Sequence, residues 1–112
     1  MITLDKLREY GADVDEGLVR CMNNEEFYLM LVGKALDDSR LIQLERQLDE
    51  NDLDGAFESA HALKGMYSNL SLDPITKPVT EMTELLRSRT DTDYSELLAE
   101  TKKQFAALCS LS

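Results

Sequence analysis

Apolar residues recur at helical spacing along almost the whole chain, and the alternation typical of strands is absent. Asp13 followed by Glu16, and Asn23 followed by Glu26, are typical capping boxes, which mark helix starts. The first pair predicts a short helix that ends near Cys21. The second pair predicts the start of a long helix.

The long second helix is predicted to bend at one place. Its apolar positions are Phe27, Met30, Leu31, Leu41, Leu44 and Leu48. Asp37, Asp38 and Ser39 interrupt that apolar face, so we expect a bend there. The polar segment 49–55, "DENDLDG", ends the predicted helix.

The segment 52–88 predicts two further helices. Asp52 is placed to cap a helix that runs to about Leu70. Asp73 is a good N-cap for the next one, because Pro74 then occupies the first helical position. Pro78 lacks a backbone donor, which predicts a local distortion of that helix.

The last predicted helix begins at another capping pair, Asp93 with Glu96. Its apolar face consists of Tyr94, Leu97, Leu98, Thr101, Phe105 and Leu108. Since the connections are short, neighbouring long helices should be antiparallel. The sequence therefore predicts an all-α fold: an antiparallel up-down four-helix bundle with one or two short N-terminal helices, forming a single domain over residues 1–112.

Composition and charge restrict the class of partner. The chain is 43% hydrophobic, enough for a core, and its net charge of -10 argues against nucleic acid and anionic membranes as partners. No apolar run approaches the roughly 20 residues of a membrane span, and a signal-peptide segment is absent. We expect a cytoplasmic protein. Cys21 and Cys109 fit no metal or redox spacing and are expected to be buried free thiols.

His61 is the only histidine, and helical geometry predicts that it points to solvent. Each residue turns a helix by about 100°, which places an apolar stripe on the side away from His61. That stripe consists of Ala56, Ala60, Leu63, Tyr67 and Leu70. The residues within about 60° of His61 are Asp54, Phe57, Glu58, Lys64, Gly65 and Ser68.

Gly65 is unfavourable within a helix by about 1 kcal/mol relative to Ala, and such violations concentrate at functional sites. An exposed neutral imidazole is a nucleophile near neutral pH, so His61 is a candidate phosphoryl acceptor. Lys64 can pair with phosphate oxygens, Gly65 leaves room for an approaching partner, and Ser68 is a candidate hydrogen-bond donor to phosphate. The residues expected to contact the partner are Phe57, Glu58 and Asp54.

Motifs of an enzyme are missing from the chain. A kinase needs a phosphate-cradling loop and carboxylates that hold metal around a nucleotide, and neither is apparent. The single histidine has no partnered acid or nucleophile in view. The sequence therefore predicts a phosphoryl carrier that is not itself an enzyme, and whose partner supplies the catalytic machinery.

"AHALKG", followed by "MYSNL", resembles the signature of histidine phosphotransfer (HPt) domains. The resemblance covers most of the chain, and it implies a helical bundle in which His61 is the phosphoacceptor. It also implies that Lys64 neutralises phosphate and that Gly65 provides clearance, while Ser68 stands where a small residue is usual. Ser71 departs from the family, which commonly has Gly there.

The resemblance implies a phosphocarrier of a two-component phosphorelay. His61 would take a phosphoryl group from a receiver-domain aspartate and pass it on, and the receiver would supply Mg²⁺. The chain itself is expected to bind no cofactor or metal and to be a monomer, with receiver domains and a hybrid histidine kinase as partners. The initial Met and the lack of a flanking linker favour a free-standing protein over a piece of a hybrid kinase.

Two alternatives remain open. The first is a helical bundle that docks a partner without being phosphorylated, and the intact His61, Lys64 and Gly65 weigh against it. The second is metal binding through His61 with Asp54 and Glu58, which is disfavoured because only one imidazole and no thiolate lie at ligand spacing.

Overall fold

The computed structural model describes residues 1–112, which form seven α-helices and no strand. The helices are α1 (Leu4–Tyr10), α2 (Val14–Arg20), α3 (Glu25–Lys34), α4 (Ser39–Asp49), α5 (Leu53–Asn69), α6 (Asp73–Arg87) and α7 (Ser95–Cys109). Each of α5, α6 and α7 packs against the helix that precedes it in the chain. Short connections join these neighbouring helices. Lys102 on α7 contacts Glu45 on α4 at 2.9 Å, so the first and last helices of the bundle also meet. The predicted all-helical, up-down bundle is confirmed.

The N-terminal part differs from the prediction, because three short helices precede the bundle rather than one or two. The long helix expected from Asn23 to Leu48 is in fact two helices, separated at residues 35–38. Asp37 accepts hydrogen bonds from the backbone N–H of Ser39 at 2.9 Å and from its hydroxyl at 2.6 Å. Such local bonds compete with helical ones. The predicted bend is therefore a complete break.

Two predicted N-caps are in place. Asp13 accepts a hydrogen bond from the backbone N–H of Glu16 at 3.2 Å, and Asp52 accepts one from Gly55 at 3.0 Å. Both helices consequently begin where the sequence predicted.

Three other helix starts are shifted by one residue from the prediction. Asn24, not Asn23, caps α3, since Asn23 has a left-handed backbone with a φ of 58°. The N-cap of α6 is Leu72 rather than Asp73, and that of α7 is Tyr94 rather than Asp93. Leu72 and Tyr94 are both buried, so core packing decides these two starts. Helix α6 continues through Pro78 to Arg87.

The N-terminal helices attach to the turn between α5 and α6. The backbone N–H of Asp13 donates to the carbonyl of Ser71, and the hydroxyl of Tyr28 donates to the carbonyl of Leu70, both at 2.9 Å. Burial raises the pKa of Tyr28 to about 12, so its hydroxyl stays protonated and can donate. These bonds fix the end of α5 from outside the bundle.

One face of α5 lies in a continuous hydrophobic core. The five stripe residues predicted from helical angles, Ala56, Ala60, Leu63, Tyr67 and Leu70, are all buried. Both cysteines are free thiols; Cys21 is buried as predicted, whereas Cys109 is partly exposed. None of the seven helices has the length and apolar character that a membrane crossing requires.

Candidate functional site

His61 lies at the middle of α5 with its side chain exposed to solvent. The neighbouring Ala60 and Leu63 are buried in the core, so the helix itself holds the imidazole outward. This is the orientation that the helical angles predicted. An exposed imidazole in the middle of a helix is accessible to a second protein without any rearrangement of the fold.

Phe57 forms one wall beside the imidazole. Its ring stacks on that of His61, with the centroids 5.6 Å apart and the planes 20° from parallel. The guanidinium carbons of Arg87 and Arg89 lie 5.2 Å and 5.0 Å from the centroid of the Phe57 ring. Phe57 is therefore held by cation–π contacts from the end of α6 as well as by His61.

Lys64 lies one turn after His61 and is already paired. Its ammonium nitrogen is 3.5 Å from one carboxylate oxygen of Glu84 on α6, and its side chain is 31% exposed. Arg87 contacts the other oxygen of Glu84 at 3.3 Å. The hydrogen bond from Arg87, with a smaller contribution from Lys64, lowers the pKa of Glu84 below its ordinary value. A carboxylate thus bridges two cations close to His61.

Gly65 also lies one turn after His61, and it leaves open space on the side of the imidazole away from Lys64. A Cβ built on Gly65 would meet nothing within 4 Å beyond its chain neighbours and the backbone of its own helix, and Ala62 is exposed as well. The hydroxyl of Ser68 donates to the carbonyl of Gly65 at 3.3 Å. Its proton is therefore engaged within the helix, and Ser68 must rotate before it can serve a phosphate group.

The acidic residues near His61 are not gathered into a metal site. The carboxylate of Asp54 pairs with Arg89, while Glu58 is exposed and makes no ion pair. No three His, Cys, Asp or Glu side chains lie where they could hold a metal ion together. The metal-binding alternative, which requires Asp54 and Glu58 beside His61, gains no support from this geometry.

Three residues of this site were not predicted from the sequence: Glu84 and Arg87 in the last part of α6, and Arg89 just after that helix. A signal for them was available. Helices α5 and α6 are antiparallel about the turn at residues 70–72, so the end of α6 lies beside the part of α5 that carries His61. The charged sequence "ELLRSR" begins there, at Glu84.

Comparison with known proteins gives a family for the chain. Residues 35–111 match the Hpt domain family. No curated protein and no solved structure matches the chain. The family match covers more than half of the chain and all four bundle helices, so the chain belongs to the Hpt family. Hpt domains are histidine phosphotransfer modules of phosphorelays; they carry phosphoryl groups rather than catalyse, and they interact with receiver domains.

Proposed function

We propose that this protein carries a phosphoryl group on His61, taking it from an aspartyl phosphate of one receiver domain and passing it to another. One observation carries the proposal. An exposed imidazole at the middle of a rigid helix has a lysine one turn away on one side and open space above a glycine on the other. A nucleophile, a phosphate-pairing cation and room for a partner are thus combined at one place.

The transfer step needs only the imidazole from this chain as a reacting group. A neutral imidazole has one unprotonated ring nitrogen. Its lone pair attacks phosphorus and forms the N–P bond as the O–P bond to the receiver aspartate breaks. The aspartate leaves as a carboxylate with the electrons of that bond. The reverse step returns the phosphoryl group to an aspartate in the same way.

The other residues of the site position and stabilise the transferred group. Lys64 would pair with phosphate oxygens in a charge-assisted hydrogen bond. Gly65 would let the backbone of the receiver approach the imidazole, and in-line geometry and electrostatics then supply most of the rate. The receiver, supplied by a hybrid histidine kinase or by a separate response regulator, would bring Mg²⁺ and its own acidic pocket.

A label transfer experiment tests the proposal. The parent protein and His61→Gln are mixed with a panel of receivers that carry a radioactive phosphoryl group. The parent should take the label in an acid-labile, base-stable form, as a phosphoramidate does. His61→Gln should take none, while its helicity and melting temperature stay nearly unchanged because His61 packs little surface.

His61 is the only histidine of the chain, so the label chemistry and the variant report on the same side chain. Label that persists in His61→Gln contradicts the proposal. A folded parent that takes no label from any receiver also contradicts it, and favours a bundle that docks a partner without phosphorylation.

A further inference from the structure

We propose that Glu84 is a built-in counter-ion that competes with the phosphoryl group for Lys64 and so limits how much of His61 stays phosphorylated. This inference rests on the proposed role of His61 as phosphoacceptor. Glu84 is not placed to react. It is a positioning residue that acts through Lys64, and three observations support the role.

The first observation is that Lys64 is not free in the unphosphorylated protein. Its ammonium lies 3.5 Å from Glu84. A phosphoryl group on His61, one turn earlier on the same helix, would need that ammonium for its own oxygens. Lys64 must therefore leave Glu84 or divide its donors between the two anions.

The second observation is that Glu84 is itself held in place. Arg87, one turn later on α6, contacts the second carboxylate oxygen of Glu84 at 3.3 Å. Arg87 also lies over the ring of Phe57, which stacks on His61. The carboxylate consequently stays beside the site when Lys64 moves away, and its negative charge opposes that of an incoming phosphoryl group.

The third observation concerns the strength of the contact. Both side chains are partly exposed, and 3.5 Å is a long ion pair. Exposed pairs of this kind are weak, and removing one changes an equilibrium by about two- to fivefold. The counter-ion can therefore bias the phosphorylation equilibrium without blocking it. A carrier must release its phosphoryl group as well as accept it, and a moderate bias toward release serves that reversibility.

The test measures how the phosphoryl group distributes at equilibrium between a receiver and this protein at low salt. Glu84→Gln should shift the distribution toward phosphorylated His61 by about two- to fivefold. Glu81→Gln is the matched control, since Glu81 is an exposed carboxylate on the same helix that makes no ion pair. It changes the net charge by the same amount and should leave the distribution unchanged.

A double-mutant cycle separates this role from a structural one. In a Lys64→Ala background, where transfer is slower but still measurable, the effect of Glu84→Gln should shrink markedly because the shared partner is gone. Glu84→Asp, which keeps the charge, should lie closer to the parent than Glu84→Gln does. High salt should reduce the effect of Glu84→Gln, since it screens exposed charges.

The outcomes distinguish this inference from the proposed function. If the parent is phosphorylated on His61 and Glu84→Gln distributes the group as Glu81→Gln does, only the counter-ion role is overturned. An equal shift in the Lys64→Ala background also overturns it, because Glu84 would then not act through Lys64. If the parent accepts no phosphoryl group at all, the proposed function and this inference fail together.

Discussion

Gly17 on α2 and Gly65 on α5 are both glycines inside helices, but their surroundings are opposite. A Cβ on Gly17 would lie 2.6 Å from the ring of Tyr28 and 3.0 Å from the carbonyl oxygen of Leu70. A Cβ on Gly65 would meet nothing within 4 Å. The fold requires the first glycine, whereas no contact within the chain requires the second.

Open space alone does not define the site, because Gly33 near the end of α3 is equally open. Gly65 differs from Gly33 by its place, one turn beyond an exposed histidine. Each glycine costs its helix about 1 kcal/mol relative to Ala. For Gly65, the proposed function places the compensation outside this chain, in the receiver that would approach His61.

The largest effect is expected from filling the packed position. Gly17→Ala should lower the free energy of unfolding by about 1–3 kcal/mol, since Tyr28 and the backbone of Leu70 leave no space for a methyl group. Urea denaturation followed by circular dichroism measures it. The folded fraction should transfer phosphoryl groups normally. An unchanged urea midpoint would show that α2 moves aside freely and would remove the contrast between the two glycines.

Filling the open position should affect function instead. Gly65→Gln should slow transfer from a receiver at least tenfold, an increase of about 1.4 kcal/mol in the barrier, because the side chain occupies the approach to His61. Its stability should match or exceed that of the parent, since Gln is the better helix former. Rapid-quench transfer assays measure the rate. Gly33→Gln is the control, with an equally open glycine on another helix. If both variants transfer at the parent rate, Gly65 does not provide clearance.

Ser71 is the reverse of the two glycines: its backbone conformation is one that favours glycine, yet the residue carries a side chain. Its φ is 54°, and its buried hydroxyl has no hydrogen-bond partner. Ser71→Gly should raise the free energy of unfolding by about 1 kcal/mol, because relief of left-handed strain outweighs the greater flexibility of the unfolded chain. Thermal and urea unfolding measure it. Asn51→Gly is the control, because Asn51 is exposed and has a similar φ of 57°. Its free energy of unfolding should rise by less than that of Ser71→Gly. An equal rise would show that the buried hydroxyl of Ser71 does not affect stability.

The smallest effect is expected at Phe57. Phe57→Ala should reduce transfer about two- to threefold, mainly through a higher KM for the receiver, because part of the ring is already covered by Arg87 and Arg89. Steady-state transfer at varied receiver concentration separates KM from kcat. Phe27→Ala, an exposed phenylalanine on α3, is the control. A loss larger than that of Gly65→Gln would make Phe57, rather than clearance, the main determinant of docking.

The sequence was sufficient to predict the features that depend on residues close together along the chain. Helical spacing correctly assigned the buried stripe of α5, and the caps at Asp13 and Asp52 depend on residues three positions away. The exposure of His61 follows from the same angles. These features are local, so periodicity and capping preferences determine them.

Features that depend on distant contacts were missed. The helix starts at Leu72 and Tyr94 are set by burial, which no local pattern reports. Lys64 pairs with Glu84 and Asp54 pairs with Arg89, 20 and 35 residues away in sequence, and neither pair was predicted. The break after α3 depends on whether Asp37 bonds locally to Ser39, a choice that composition leaves open. Side-chain pairing between helices requires the three-dimensional arrangement.

The hydrogen bonds at the turn between α5 and α6 matter for anyone who would move this Hpt domain into another protein. The matched family segment begins at residue 35, yet the carbonyl of Leu70 accepts from Tyr28 and that of Ser71 accepts from Asp13, both outside the segment. A graft cut at residue 35 would lose both hydrogen bonds, at a net cost of about 0.5–1.5 kcal/mol each, and would expose the turn that the removed helices cover. The transplantable unit is therefore larger than the family segment and includes the three helices that precede it.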